Sequence, residues 1–225
     1  GSSICGAAAI LATEPILKAS NERVAVAIST IVIFGTISIF IYPVIYSYAL
    51  LNYAEYCTPE KFGVYIGSTI HEVAQVVATA GAIGDEVTST AVIAKMVRVM
   101  MLAPFLIAVS AFVSFGEKSN QSSLGETSSR KEAKNSIGKF FPVFAIFFLI
   151  AIGINSTGYI NQSVRTTLIH LDNFLLALAM GALGLTTHLS AIAKAGIKPL
   201  QLAAILFVWL VIGGGLINIV VGRFL

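Results

Sequence analysis

Two runs of this chain, residues 24 to 51 and 199 to 222, contain no charged side chain. Each is long enough to cross a bilayer core of roughly 30 Å as a helix rising about 1.5 Å per residue. Residues 87 to 114 and 139 to 155 have a similar character with few charges. Lipid offers no partner for backbone N–H and C=O groups, so such runs fold as helices that satisfy themselves. With 56% hydrophobic and 11% charged residues and a mean hydropathy of +0.88, the chain is too apolar for a soluble domain. It reads as an all-α polytopic membrane protein. Cys5 and Cys57 provide neither a disulfide framework nor metal-ligand spacing. The net charge of +3 comes mostly from loop lysines and arginines, which act as topology signals and not as a nucleic-acid surface.

Residues 62 to 98 depart from this apolar background. The segments Ile70-His71-Glu72-Val73-Ala74-Gln75 and Ala94-Lys95-Met96-Val97-Arg98 put ionisable groups inside stretches of spanning length. A charge at the centre of a membrane helix costs about 2.5–3.5 kcal/mol even on the lenient insertion scale, so these groups are expected to face a protein or water-filled interior. Ser68, His71, Glu72, Gln75 and Thr79 recur at helical spacing. That stripe predicts one buried helix over 62–83. Lys95 and Arg98 lie three residues apart and share a helix face. They serve either to draw an anion toward the midplane or to compensate Glu72, or Asp85 and Glu86.

Two interruptions carry the organisational argument. The segment 165–194 is long enough to span, but Gly181, Gly184, Thr186, Thr187 and His188 fall near its middle, which predicts two half-helices meeting at 181–187. At the start of the chain, Ser2-Ser3-Ile4-Cys5-Gly6 leads into a short apolar helix from Ala7 to Ala19. Interrupted helices at matching positions in two halves point to a midplane site between inverted repeats. On this reading residues 1–52 are the distal part of a first repeat, residues 62–225 form a second repeat of about five spans, and residues 115–138 are a polar linker. The chain begins in mid-structure, so the upstream helices of the first repeat are expected to be missing. The connections on the linker's side carry Lys61, Lys118, Arg130, Lys131, Lys134, Lys139, Lys194 and Lys198, against Lys18, Arg23, Arg165 and Arg223 on the other. The bias places the linker in the cytoplasm.

Three chemistries compete for the polar groups. His71-Glu72-Val73-Ala74-Gln75 approaches the zinc-protease helix H-E-x-x-H, but the second ligand position holds Gln75, so no catalytic or metal role is assigned and a metalloprotease is a remote alternative. In the second chemistry His71, Glu72 and Gln75 hydrogen-bond across helices and take part in coupling or gating with a proton or sodium. In the third, half-helix N-termini preceded by Ser2 and Ser3, and by Thr186 and Thr187, bind an oxyanion through backbone N–H groups. Gly63 with Gly67, and Gly213-Gly214-Gly215, read as helix-packing or flexing points.

Several blocks together resemble the YeiH-like bacterial membrane proteins described as sulfate exporters. They are Gly1-Ser2-Ser3-Ile4-Cys5-Gly6-Ala7-Ala8-Ala9-Ile10, Phe34-Gly35 with Tyr42-Pro43, Ile70 to Val77, Ala94 to Pro104, and Ala182-Leu183-Gly184-Leu185 leading to Ala195 through Leu200. The resemblance implies a multi-pass bacterial inner-membrane protein of two inverted repeats with crossed broken helices, similar in architecture to bile-acid sodium symporters and sodium/proton antiporters. It also implies a small anion such as sulfate as cargo. The expected protein is a secondary transporter, not an enzyme, and needs no cofactor. Its anion site is expected at Ser2, Ser3, Cys5, Thr186, Thr187, Lys95 and Arg98, with His71, Glu72 and Gln75 in coupling or gating and membrane lipid around it. The alternative is a sodium or proton antiporter with Glu72 as the cation site.

Overall fold

The computed structural model describes residues 1–53, 57–102, 161–186 and 196–224, with short pieces between 104 and 156. The described elements are helical. They are α1 (Ala7–Leu17), α2 (Asn21–Tyr53), α3 (Pro59–Thr69), α4 (Val73–Gly81), α5 (Asp85–Met100), α6 (Gln162–Thr186) and α7 (Ile197–Phe224). Three stretches among the described residues are long and apolar enough to cross a membrane: Asn21–Asn52, Asp85–Leu106 and Ile197–Gly222. The first and last match the runs expected at 24–51 and 199–222, and Asp85–Leu106 covers 87–106 of the run expected at 87–114. The linker at 115–138, residues 139–149 of the span expected at 139–155, and Thr187 lie outside the described residues.

The helix expected over 62–83 is two half-helices. α3 ends at Thr69, α4 begins at Val73, and Ile70 (ψ 149°) and Glu72 (ψ 153°) between them are extended. A polar stripe at helical spacing looks the same whether or not the backbone is continuous, so periodicity does not reveal this break. The ends are nevertheless chemically marked. Thr58 caps α3, accepting from the Lys61 N–H at 3.3 Å with Pro59 following. Glu72 and Gln75 form a capping box that starts α4. Conversely, α6 runs unbroken through Gly181 and Gly184 to Thr186, so the half-helices expected to meet at 181–187 do not part at either glycine. A glycine inside a helix costs only about 1 kcal/mol, less than leaving backbone groups unpaired in lipid.

Around the break the helices are held by small residues. A Cβ on Gly63 would come 2.8 Å from Thr90 Cβ, and one on Gly67 would lie 2.8 Å from Ala94 Cβ and against the Ala91 carbonyl, so α3 lies backbone-close on α5. Gly214 faces Thr69 in the same way, and Gly215 lies in ordinary contact with Tyr65, seating α7 on the other side of α3. These pairs carry the packing role expected of them. Tyr42 of α2 is buried and donates to Thr69 Oγ1 at 2.8 Å. Tyr65 donates to the Val211 carbonyl at 2.7 Å. The last turn of α3 is therefore fastened to α2, α5 and α7 just before the chain leaves helical geometry.

Candidate functional site at the crossing of two chain breaks

The turn before α1 and the break between α3 and α4 meet at one buried point. Gly6 caps α1 at φ 63°, a left-handed conformation that disfavours other residues, and its missing side chain makes room for Glu72. A Cβ there would approach Glu72 Oε1 to 2.6 Å. Glu72 Oε1 accepts the Ala7 N–H at 2.8 Å. Because Glu72 also opens α4, with its own N–H donating to Gln75 Oε1 at 3.2 Å, one carboxylate serves the positive ends of two helices. Gln75 is 1% exposed and packs on Gly35 of α2, where a Cβ would overlap its amide.

The carbonyl side of the crossing belongs to α5. Lys95 is fully buried, and its Nζ donates to the carbonyls of Ile4 at 2.8 Å, Ile70 at 2.7 Å and His71 at 2.6 Å. Its ammonium therefore joins the two breaks. Arg98, half-buried one turn further along, donates from Nε to the Ser3 carbonyl at 2.6 Å and from Nη1 to the Ile70 carbonyl at 3.1 Å, and Nη2 reaches the Ser2 carbonyl. Lys95 and Arg98 thus compensate backbone carbonyls, a role distinct from pairing with Glu72 or with Asp85 and Glu86. The end of α3 and the turn before α1 offer their carbonyls to cations, and the N–H starts of α1 and α4 meet a carboxylate.

The expected site residues divide accordingly. Ser2, Ser3, Lys95, Arg98, His71, Glu72 and Gln75 gather at the crossing, and Cys5 is buried within the first break. The break that the turn Ser2–Gly6 meets is Ile70–Glu72. Thr186 is the last residue of α6, and Thr187 lies outside the described residues. His71 is 2% exposed and stacks its ring on Phe207 of α7 at 6.5 Å. Its Nδ1 is buried without a hydrogen-bond partner among the described residues. Sequence reasoning missed the carbonyls of Ile4, Ile70 and His71, which carry no side-chain signature. It also missed Gly6 and Gly35 as the clearances for Glu72 and Gln75. The Glu72–Gln75 spacing, read as a capping box, is the signal that could have located the break.

Comparison with known proteins then bears on the whole chain. A family model described as Conserved hypothetical protein 698 matches residues 1–203. Over 221 residues the chain is 53% identical to the UPF0324 inner membrane protein YeiH of one Escherichia coli strain and 52% identical to that of another. Each match covers 98% of this chain and 59% of the relative. A UPF0324 membrane protein of Photorhabdus laumondii is 51% identical. The chain belongs to the YeiH-like UPF0324 family. It spans 59% of the length of the Escherichia coli relatives, and no solved structure matches it. This YeiH-like chain is an inner-membrane protein, as its relatives' names and its own spanning helices state. Among its described residues no group of three or more His, Cys, Asp and Glu side chains is placed to hold a metal ion.

Proposed function

We propose that this chain forms part of a secondary transporter that exports or exchanges a small anion, such as sulfate or another sulfur oxyanion, by alternating access, with no enzymatic step. The observation that carries the reading is the meeting of the turn before α1 with the α3–α4 break at one buried point, where carbonyls of both segments meet cations and the N–H starts of α1 and α4 meet a carboxylate. Non-helical backbone at membrane depth occurs where it is buried in protein or lines a cavity. Discontinuous helices whose ends converge are the way transporters build a substrate site.

Arg98 is the group best suited to meet the anion. A guanidinium has five N–H donors; three of its bonds go to described carbonyls, and it is half-buried. Lys95, with three carbonyl partners and no exposure, has no donor left to offer. Glu72, on the N–H side, is suited to a coupling proton, because neutralising it would leave two positive helix ends available to negative charge.

The test is counterflow of labelled sulfate in proteoliposomes of the full-length protein beside an Arg98→Ala variant. Accumulation in the parent and its loss in the variant is the expected result. Unchanged accumulation in Arg98→Ala removes Arg98 from the path. Absence of counterflow with sulfate, sulfite and thiosulfate in a folded preparation defeats the anion reading. The burial of Glu72 at the crossing favours one second reading, proton or sodium antiport with Glu72 as the cation site. Cation flux that follows a pH gradient without any sulfur oxyanion would support that alternative.

A further inference from the structure

Three backbone carbonyls, those of Ile4, Ile70 and His71, converge on Lys95 Nζ at 2.6–2.8 Å. A carbonyl oxygen only accepts hydrogen bonds, so three such partners require three N–H donors, which only the protonated amine has. Lys95 is fully buried, so water does not share in its solvation. Neutral carbonyl oxygens gathered from unwound backbone are the donor set with which channels and broken-helix transporters replace the hydration shell of a monovalent cation. The nearby acid, Glu72, is engaged with the opposite helix ends through Ala7 N–H.

We propose that Lys95 is a tethered occupant of a monovalent-cation site. Its ammonium takes the place that a dissociable sodium or potassium ion would fill, and holds the two breaks together permanently. A cation fixed to α5 cannot leave on one side of the membrane, so this cradle links no sodium or potassium movement to the transport cycle. The inference deepens the proposed function by assigning what this half of the site does in coupling. Its evidence is a binding geometry, and it is tested by binding.

Thermal unfolding of the detergent-solubilised full-length protein is measured in sodium, potassium, ammonium or N-methyl-D-glucamine chloride at equal ionic strength. The parent should unfold at the same temperature in all four. Lys95→Ala should unfold lower in N-methyl-D-glucamine and recover by about 2–4 °C, saturably, in at least one of the three small cations, as binding linkage requires. Saturable stabilisation of the parent by sodium or potassium that is absent from Lys95→Ala overturns the proposal. A folded Lys95→Ala that responds to none of the cations also overturns it. Should that variant not fold in N-methyl-D-glucamine, it is purified in each small cation instead: folding rescued by sodium, potassium or ammonium supports the proposal, and failure to fold in all four salts overturns it. Loss of sulfate counterflow in the parent with this thermal pattern intact would defeat the anion reading and leave the cation cradle standing.

Discussion

Glu72 accepts the first N–H of α1 and caps the start of α4, and both duties rest on the same carboxylate. Its charge and its oxygen can be separated experimentally. Glu72→Gln keeps an acceptor for the Ala7 N–H and removes the charge that faces two helix ends, an effect worth up to about 2 kcal/mol in a partly buried setting. Glu72→Ala removes the acceptor as well and adds about 1–3 kcal/mol for a buried N–H left without a partner. Thermal unfolding should therefore rank parent, Gln and Ala in descending order, and an equal loss in both variants would assign the whole effect to charge. The chemistry of these residues was legible in the sequence, where an ionisable group within a span stands out. Their partners were not, because Ala7 and Glu72 are 65 positions apart and the clearance between them is a glycine with no chemistry of its own.

The contact of α3 with α7 is an element-scale feature built from absences. Gly214 leaves room for Thr69, where a Cβ would come 2.5 Å from Thr69 Cγ2. Tyr65 reaches the Val211 carbonyl and Asn218 Nδ2 reaches Ser68 Oγ at 3.1 Å across the same seam. Gly214→Val should cost about 1–3 kcal/mol through overpacking, and Tyr65→Phe about 0.5–1.5 kcal/mol through its lost hydrogen bond. Because both changes loosen one contact, the double variant should lose less than the sum; strict additivity in thermal unfolding would show that α7 does not seat on α3 at this point. At this scale the long apolar helices α2 and α7 were readable from length and charge. The α3–α4 break was not, because the polar stripe has helical spacing on both sides of it. Gly181 and Gly184 of α6 lie within continuous helix, since a glycine weakens a helix without supplying the partners that a helix end requires.

Across the described residues, α2, α6 and α7 carry exposed large apolar side chains, including Phe40, Phe174, Leu178 and Ile212, suited to acyl chains or to further apolar helices. Trp209, the chain's single tryptophan, is 63% exposed on α7. If this face of α7 meets lipid in the full-length protein, the Trp209 signal, isolated with Trp209→Phe, is quenched by brominated acyl chains and spared by aqueous acrylamide; quenching by acrylamide would mean that it meets water, and by neither that another helix covers it. The sequence by itself determined that the chain lies in a membrane as helices and that its few buried ionisable groups need an interior. Spanning length and the cost of charge in hydrocarbon are local properties, readable residue by residue. Only the tertiary structure decided what that interior is, with Lys95 on the carbonyls of Ile4, Ile70 and His71, at separations of 91, 25 and 24 residues, and Glu72 on the opposite helix ends. Those partners are backbone groups, present at every position alike, and only the packing of α1, α3, α4 and α5 selects which of them meet.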